Sequence, residues 1–480
     1  MKTMNDYCRE KFGKKLYKLS LDGGFTCPNR DGTKGTGGCI FCSRSGSGDF
    51  AESGNDIKEQ IERAKRRVEH KNKNGGYIAY FQSFTSTYAP IERLKKLFSE
   101  AINHPDIDVL SIGTRPDCLP EETIALLGEL NKIKPVWVEL GLQTSKKESI
   151  EYIRRCYENE VYEKAVKALH DKGIYVITHM IIGLPGESRE DIKNTLFYIL
   201  NNKSDGVKLQ LLHILKDSDL YEEYKNGNIK TLTKEEYLDI LKELLRLIPE
   251  EVAVHRLTGD GNKNTLVSPM WSANKKDVIN SVNKLVQELG QEQKYIFREI
   301  KEDEIPIMFE MILSRMKWMD KVGIKQWNVT KYDEVYPIAY YEEKRQKGEV
   351  FVLEEKTNGD IVAAAVLKSE DDRWEGVPCY KRHSAFYLHN FAAKIGKKGV
   401  GAIFLSLAEE YAKEKGKEYF RLDSADDNKK LEKYYTEKGY IPVGECIDGL
   451  YTGILREKKL QEAQKSPSLT HGKKNMGKCP

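Results

Sequence analysis

The sequence predicts an α/β protein in two parts, a partial (β/α) TIM-like barrel followed by an α+β domain. Three observations carry this. From residue 16 to about 290, short apolar stretches alternate with amphipathic ones, and repeated strand-then-helix units mean parallel strands joined by right-handed crossovers. At Gly290-Gln291-Glu292-Gln293-Lys294 the chain turns polar and the alternation stops. Finally, 480 residues exceed the roughly 250 to 300 that one core supports.

In the first part, strands are expected at 16–21, 77–82, 109–112, 136–142, 175–182, 207–212 and 252–257. Helices fall between them at 56–69, 91–102, 121–130, 159–172, 189–200 and 234–247. About six such units make an open or partial barrel, whose ligands bind at the carboxyl ends of its strands. The unusual phrases stand at those ends. They are Gln82 to Tyr88, Thr114-Arg115-Pro116-Asp117, Glu139 to Thr144, Ile181 to Glu187 and His255 to Gly261. Polar groups gathered at one rim mark a site, although Thr114 to Asp117 also reads as a proline turn and Gly183 to Gly186 as a strand-to-helix turn.

After the break the order is strand 296–300, helical 305–322, strands 350–354, 361–367 and 385–391, helix 400–415, strand 419–422, helix 429–438, and strands 441–446 and 450–454. The expected domains are therefore 1–290 and 293–458, with 459–480 a basic, apolar-poor, disordered tail that leaves Cys479 inert.

Between the first strand and first helix lie Cys27, Cys39 and Cys42, in a loop too rich in glycine and polar residues to pack a core. Three thiolates can hold an iron-sulfur cluster at three corners and leave its fourth iron open to a ligand. Glycines 35, 37 and 38 allow close backbone approach, and Phe41 puts an aromatic beside the last two cysteines. A zinc knuckle remains an alternative, but it needs a fourth Cys or His, and none other stands between Glu10 and Glu69. A disulfide with a spare thiol needs an oxidising compartment, while nine cysteines with no signal peptide read as cytoplasmic. Cys118 and Cys156 read as buried or free thiols. A net charge of +4 with 32% charged residues tolerates an acidic partner without demanding one, and no apolar run approaches the roughly 20 residues of a membrane span.

The triplet ending Cys39-Ile40-Phe41-Cys42, set after an apolar strand, resembles the cluster motif of radical S-adenosylmethionine (SAM) enzymes. Its long first spacing, with Phe81-Gln82-Ser83, Glu139-Leu140-Gly141-Leu142-Gln143-Thr144 and His255-Arg256-Leu257-Thr258-Gly259-Asp260, is closer to the YhcC-like proteins and the Elongator catalytic subunit over residues 1 to about 290. The resemblance implies a 4Fe-4S cluster on Cys27, Cys39 and Cys42 whose open iron is chelated by SAM. It places Gln82 and Ser83 where such enzymes usually carry a Gly-Gly-Glu, a glutamate this sequence lacks. Gln143 matches a polar residue facing SAM, and Ile181 with Gly183 matches the strand beside adenine. An electron donor, ferredoxin or flavodoxin, is implied.

In the second part, Phe391-Ala392-Ala393-Lys394-Ile395-Gly396-Lys397-Lys398-Gly399-Val400-Gly401 runs strand, glycine-lysine loop, helix. Free N–H groups at a helix start form a pyrophosphate site, and an ordinary glycine turn is the competing reading. With Asn428 and Tyr434-Tyr435-Thr436-Glu437-Lys438-Gly439-Tyr440 the pattern resembles the GNAT acetyltransferases. That resemblance implies acetyl-CoA gripped by Gly396, Lys397, Lys398, Gly399, Val400 and Gly401, with Asn428 in the cofactor site and Tyr435 protonating the departing thiolate. Gly396 stands where Gln or Arg is usual. Adjacent tyrosines on a helix face different ways, so one of Tyr434 and Tyr435 is expected in the core.

The function expected is a radical SAM enzyme coupled to an acyltransferase domain, with tRNA as substrate by analogy to Elongator. Two alternatives stand beside it: tethered but independent activities, the GNAT half acetylating a small amine or protein, and a CoA-sensing module that catalyses nothing. Basic clusters at Lys65-Arg66-Arg67, at Lys394, Lys397 and Lys398, and at Lys429, Lys430 and Lys433 suit nucleic acid and solvated helix faces equally.

Overall fold

The computed structural model describes residues 1–460 except 45, 47–50, 53, 55, 73, 260, 262, 379 and 449–450. It divides into two compact units, Met1–Val286 and Gln287–Pro480.

The first unit is built on β1 (Lys2–Thr3), β2 (Leu16–Leu21), β3 (Gly76–Phe81), β4 (Ile107–Thr114), β5 (Val136–Gln143), β6 (Tyr175–Ile182), β7 (Gly206–Leu211) and β9 (Ala253–Arg256), with β8 (Ile214–Leu215) and β10 (Leu266–Ser268) forming a separate antiparallel pair. The eight strands lie in the order β1-β9-β7-β6-β5-β4-β3-β2 and every neighbouring pair is parallel. This is the expected partial barrel. All seven expected strands are present; β1 escaped sequence reading because two residues carry no periodicity.

Crossover helices cover the outside. Ile91–Ile102 buries Leu94, Phe98, Ala101 and Ile102, one stripe at helical spacing. Arg189–Asn201 starts on a Ser188/Asp191 capping box and Lys234–Leu247 on Thr233/Glu236.

The inside is layered by the two-residue period of the strands. Leu16, Ile78, Val109, Trp137 and Ile177 make one apolar layer, packed on Tyr7 and Phe12 of the amino-terminal helix Met4–Phe12. Two residues further along the same strands stand Lys18, Tyr80, Ser111, Glu139 and His179, which are joined by hydrogen bonds. Two further still, Gln82, Gly113, Gly141 and Ile181 line a cavity.

The second unit carries β11 (Tyr295–Glu299), β12 (Val350–Glu355), β13 (Ile361–Lys368), β14 (Ala385–Ala393), β15 (Tyr419–Ala425), β16 (Ile441–Asp448) and β17 (Tyr451–Lys459), in the order β11-β12-β13-β14-β15-β17-β16. Only β14–β15 is parallel among these pairs. β13 is apolar on both faces. Ala363, Ala365 and Leu367 pack with Phe404, Leu405 and Ala408 of the helix Val400–Glu414. Ala364 and Val366 pack with Met308 and Ile312 of Ile305–Val322 and with Tyr341 of Ile338–Gln346. The last of these helices has one buried residue and so no periodic signature in the sequence. Lys459 ends β17 and Leu460 is buried; the rest of the expected tail, 461–480, lies outside the described residues, as does Asp260.

Candidate active site

The cysteine loop is held from several directions. Asn29 Nδ2 donates to the Arg154 carbonyl at 2.8 Å, Lys34 Nζ reaches Asp117 at 2.6 Å, and the Arg44 amide donates to Asp217 Oδ2 at 2.9 Å. Ile40 donates to the Ile153 carbonyl at 3.3 Å and accepts from the Leu220 amide at 2.9 Å. Gly37 and Gly38 stand at φ +83° and +87°, backbone that a side chain would strain.

So held, the loop turns Cys27, Cys39 and Cys42 into one cavity of about 200 Å³ at the carboxyl ends of the parallel strands, together with Phe41, Gln82, Gln143 and Ile181. Gln143 sits at an irregularity of the β5–β6 register with φ +65°, a costly conformation for a residue other than glycine. Ser83 and Gly183 are outside the lining: Ser83 is buried, and Gly183, at φ +92°, faces Leu232. Cys118 and Cys156 are outside it too.

A hydrogen bond from Cys42 holds the Cys39 thiol down at about 6 against its burial, aided by Arg115, while the same bond and burial push Cys42 up. Arg115 grips Asp117 through both carboxylate oxygens, at 2.9 and 3.0 Å, and donates to the Arg155 carbonyl at 2.8 Å. Behind it Arg155, fully buried, donates to the carbonyls of Leu142, Thr144 and Tyr157 at 2.9–3.1 Å. These bonds fix the rim.

Below the cysteines lies the polar layer. The Glu139 carboxylate accepts from Lys18 Nζ at 2.5 Å and Ser111 Oγ at 2.9 Å on one oxygen, and from Tyr80 OH and His179 Nε2, each at 2.8 Å, and Lys208 Nζ on the other. Burial pushes its carboxyl up, but Lys18, Lys208 and His179 outweigh it and hold Glu139 well below the usual range. Burial also lowers His179, to about 4, with Lys208 reinforcing it.

Sequence reading put Arg115 and Glu139 in the strand-end phrases that mark the site but gave neither a role, and it did not select His179, Lys208 or Gln210. The signal was present: one acidic or basic side chain inside each of several mostly apolar strands, Lys18 in β2, Glu139 in β5, His179 in β6 and Lys208 in β7.

The donor set suits a thiolate-held cluster. Three thiols share one cavity, and His179, the histidine in its lining, has both nitrogens engaged, Nε2 with Glu139 and Nδ1 with Gln210 at 3.0 Å. It is not available as a fourth ligand.

In the second unit, β14 and β15 pair only from Ala385↔Tyr419 to Leu388↔Leu422 and then part, and the β13–β14 register shifts where Asn390 stands at φ +52°. The loop after β14 enters the helix Val400–Glu414 at Gly399, φ +83°, with no side-chain cap, so its first N–H groups have no side-chain acceptor there. A side chain at Gly396 or Gly399 would meet no neighbour within 4 Å. That open, positively polarised helix start suits a phosphate group. Lys397 is tied to Glu355 at 2.7 Å. Asn428 caps Lys429–Glu437 by accepting from the Leu431 amide at 3.1 Å. Tyr435 is the core tyrosine of its pair, 6% exposed, and burial raises its hydroxyl's pKa; Tyr434 is half-buried.

The chain matches the model of the Radical SAM superfamily over residues 30–199, the Radical_SAM C-terminal domain over 204–288 and the Acetyltransferase (GNAT) family over 314–440. It is 42% identical over 302 residues to YtqA of Bacillus subtilis (strain 168), covering 63% of this chain and 94% of that protein. It is 35% identical over 281 residues to protein YhcC of Escherichia coli (strain K12), covering 58% and 90%. A shorter similarity, 29% over 192 residues, 39% of this chain and 35% of the relative, is to the tRNA uridine(34) acetyltransferase of Methanocaldococcus jannaschii. Among solved structures it resembles the N-terminally truncated Elp3 of Methanocaldococcus infernus, covering 91% of this chain and 98% of that one at 17% identity and a TM-score of 0.43. The chain is an enzyme of the radical SAM superfamily, related to YtqA and YhcC, whose barrel is followed by a GNAT acetyltransferase domain.

Proposed function

We propose that Cys27, Cys39 and Cys42 hold a 4Fe-4S cluster, that SAM occupies the same cavity against Phe41, Gln82, Gln143 and Ile181, with Ser83 and Gly183 behind the lining, and that the two domains, 1–290 and 293–458, modify uridine in tRNA with acetyl-CoA as co-substrate. The observation that carries this reading is the convergence of three cysteines from one loop with Gln82, Gln143 and Ile181 from three strand ends on a single cavity. The similarity to the tRNA uridine(34) acetyltransferase supports the substrate class. When bound, cluster and SAM supply a 5′-deoxyadenosyl radical that takes a hydrogen atom from substrate, the electron coming from a ferredoxin- or flavodoxin-type donor.

The chain's own residues do the rest. The Arg115–Asp117 pair and Arg155 fix the cavity rim, and the apolar layer around Trp137 keeps water from below. Gly396 and Gly399, with Lys397 and Lys398, Val400 and Gly401, bring the helix start against the pyrophosphate of the acyl carrier, while Asn428 sets the start of the helix bearing Tyr435. Burial keeps the Tyr435 hydroxyl protonated, the form needed to give a proton to a leaving thiolate. No helix among the described residues is long and apolar enough to cross a membrane, and the proposed location is the cytoplasm, where thiols stay reduced.

The deciding experiment adds tRNA and acetyl-CoA, separately and together, to reconstituted full-length enzyme with SAM and dithionite, and measures 5′-deoxyadenosine. Stimulation by the pair is expected. Release that ignores both would separate the two domains' activities.

A further inference from the structure

One hydrogen-bond chain in the cavity wall has its direction fixed from one end. Glu139 is an ionised carboxylate that only accepts, so His179, 2.8 Å away, must carry its ring proton on Nε2. Burial keeps the ring neutral at neutral pH, which leaves a lone pair on Nδ1. Gln210 stands 3.0 Å from that lone pair and must turn its amide N–H toward it and its carbonyl away. A glutamine alone on a wall presents either end of its amide; this one presents Oε1. That oxygen and the second amide hydrogen have no partner among the described residues, and the side chain lines the cavity. The polar groups beside it supply donors. Arg256, level with Lys208 across the β7–β9 pairing and in the same lining, has N–H groups and no acceptor, and the Tyr80 hydroxyl is spent on Glu139 at 2.8 Å.

An amide with a free oxygen and a free N–H side by side pairs edge to edge with a ligand that sets an N–H next to a carbonyl. Uracil has that edge, N3–H between O2 and O4. Cytosine in the same place turns the lone pair of N3 toward Oε1, and the two repel. Resting on the tRNA reading above, we propose that Gln210 reads the uracil of the substrate, accepting from N3–H and donating to the neighbouring carbonyl, and that Glu139 and His179 are positioning residues that hold its amide in the orientation that does so. Enzymes that act on a base take it out of its stack and read this edge inside a pocket. A buried amide left facing the wrong group loses both bonds at once.

The adenine of SAM also sets an N–H beside a ring acceptor, but Gln210 is tied to His179 in the layer below the cysteines, and the test separates the two bases. Reconstituted full-length enzyme, with iron content and SAM affinity measured on the same sample, is held with SAM and no reductant. Anticodon stem-loop RNAs whose first anticodon base is uridine, 3-methyluridine or cytidine are added, and binding is read by fluorescence anisotropy. Uridine should bind about tenfold or more tighter than the other two, the size of one bidentate base contact. Gln210→Met, close to glutamine in volume, should erase that preference and leave SAM affinity unchanged. His179→Leu frees the amide to turn, so cytidine should gain on uridine while 3-methyluridine stays weak, a pattern that loss of packing does not produce. Wild-type enzyme that binds 3-methyluridine as well as uridine overturns the proposal, and so does a Gln210→Met variant that keeps the preference. If Gln210→Met weakens SAM and leaves the RNA preference intact, Gln210 serves adenine and the uracil assignment is wrong. An unchanged ratio of cytidine to uridine in His179→Leu removes the positioning role. Failure of all three RNAs to bind is a different result, which takes down the tRNA reading and this one with it.

Discussion

His179 gives its Nε2 proton to Glu139 across 2.8 Å, while its Nδ1 is occupied by Gln210 at 3.0 Å. The ring therefore has no room for a second proton without breaking a bond. In the folded chain it titrates at about 4, against 6.5 when free, so between those values the unfolded chain binds a proton that the folded one refuses. Stability rises with pH across that window and is lost as pH falls through it. Hydrogen exchange of peptides covering β5 and β6 should be slower at pH 7 than at pH 5, corrected for intrinsic rates, and His179→Gln should flatten the difference. An unchanged slope in that variant would remove His179 as the cause.

Cys27→Ala, Cys39→Ala and Cys42→Ala should each fail to retain a full complement of about four irons and lose the absorbance near 400 nm that thiolate-held clusters show. Cys118→Ala and Cys156→Ala, outside the cavity lining, should keep both. Full iron content in Cys39→Ala would disprove the ligand assignment.

Arg155→Leu should destabilise the barrel by about 3 kcal/mol or more, because it strands the buried carbonyls of Leu142, Thr144 and Tyr157 that the guanidinium now satisfies. Urea unfolding followed through Trp137 fluorescence, in a chain whose other tryptophans are replaced, measures it. A change under 1 kcal/mol would mean water substitutes for the side chain.

Gly399→Asp should weaken acetyl-CoA binding by calorimetry roughly tenfold or more, since it sets a negative charge at the helix start that polarises toward phosphate. Gly399→Asn tolerates the same positive φ and should lose much less. Equal losses would point to backbone strain rather than charge.

Tyr435→Phe should leave cluster and SAM binding intact and lower any acyl transfer from acetyl-CoA, read as free thiol released. The hydroxyl contributes little to packing, so thermal unfolding should shift only slightly; a large shift would mark Tyr435 as structural alone.

The fold was legible because its signals are repetitive. Strand and helix alternate through the barrel, and β13, apolar on both faces, announces a sheet covered on both sides. The cysteine triplet was legible because glycine-rich loops have no packing use for sulfur. Lys18, Glu139, His179 and Lys208 were harder: each is a lone charge in a different strand, and only the stagger of parallel neighbours brings them level. Tyr435 presented the opposite difficulty. A helix with Tyr434 and Tyr435 side by side says that one is inside but not which, and the choice fell to packing against Phe420 and Tyr440.

The cysteine loop takes its shape from Asn29 and Ile40 on the Ile153–Arg154 segment, Lys34 on Asp117, and Ile40 and Arg44 on the Asp217–Leu220 segment, all of them bonds to oxygen or nitrogen of the barrel; Asn29 also donates to Cys39 Sγ at 3.5 Å. Losing iron to oxygen therefore leaves the mould standing. Repair becomes a matter of supplying metal and sulfide and not of searching for a conformation, so successive cycles of stripping and reloading should return the same protein, with no hysteresis between them.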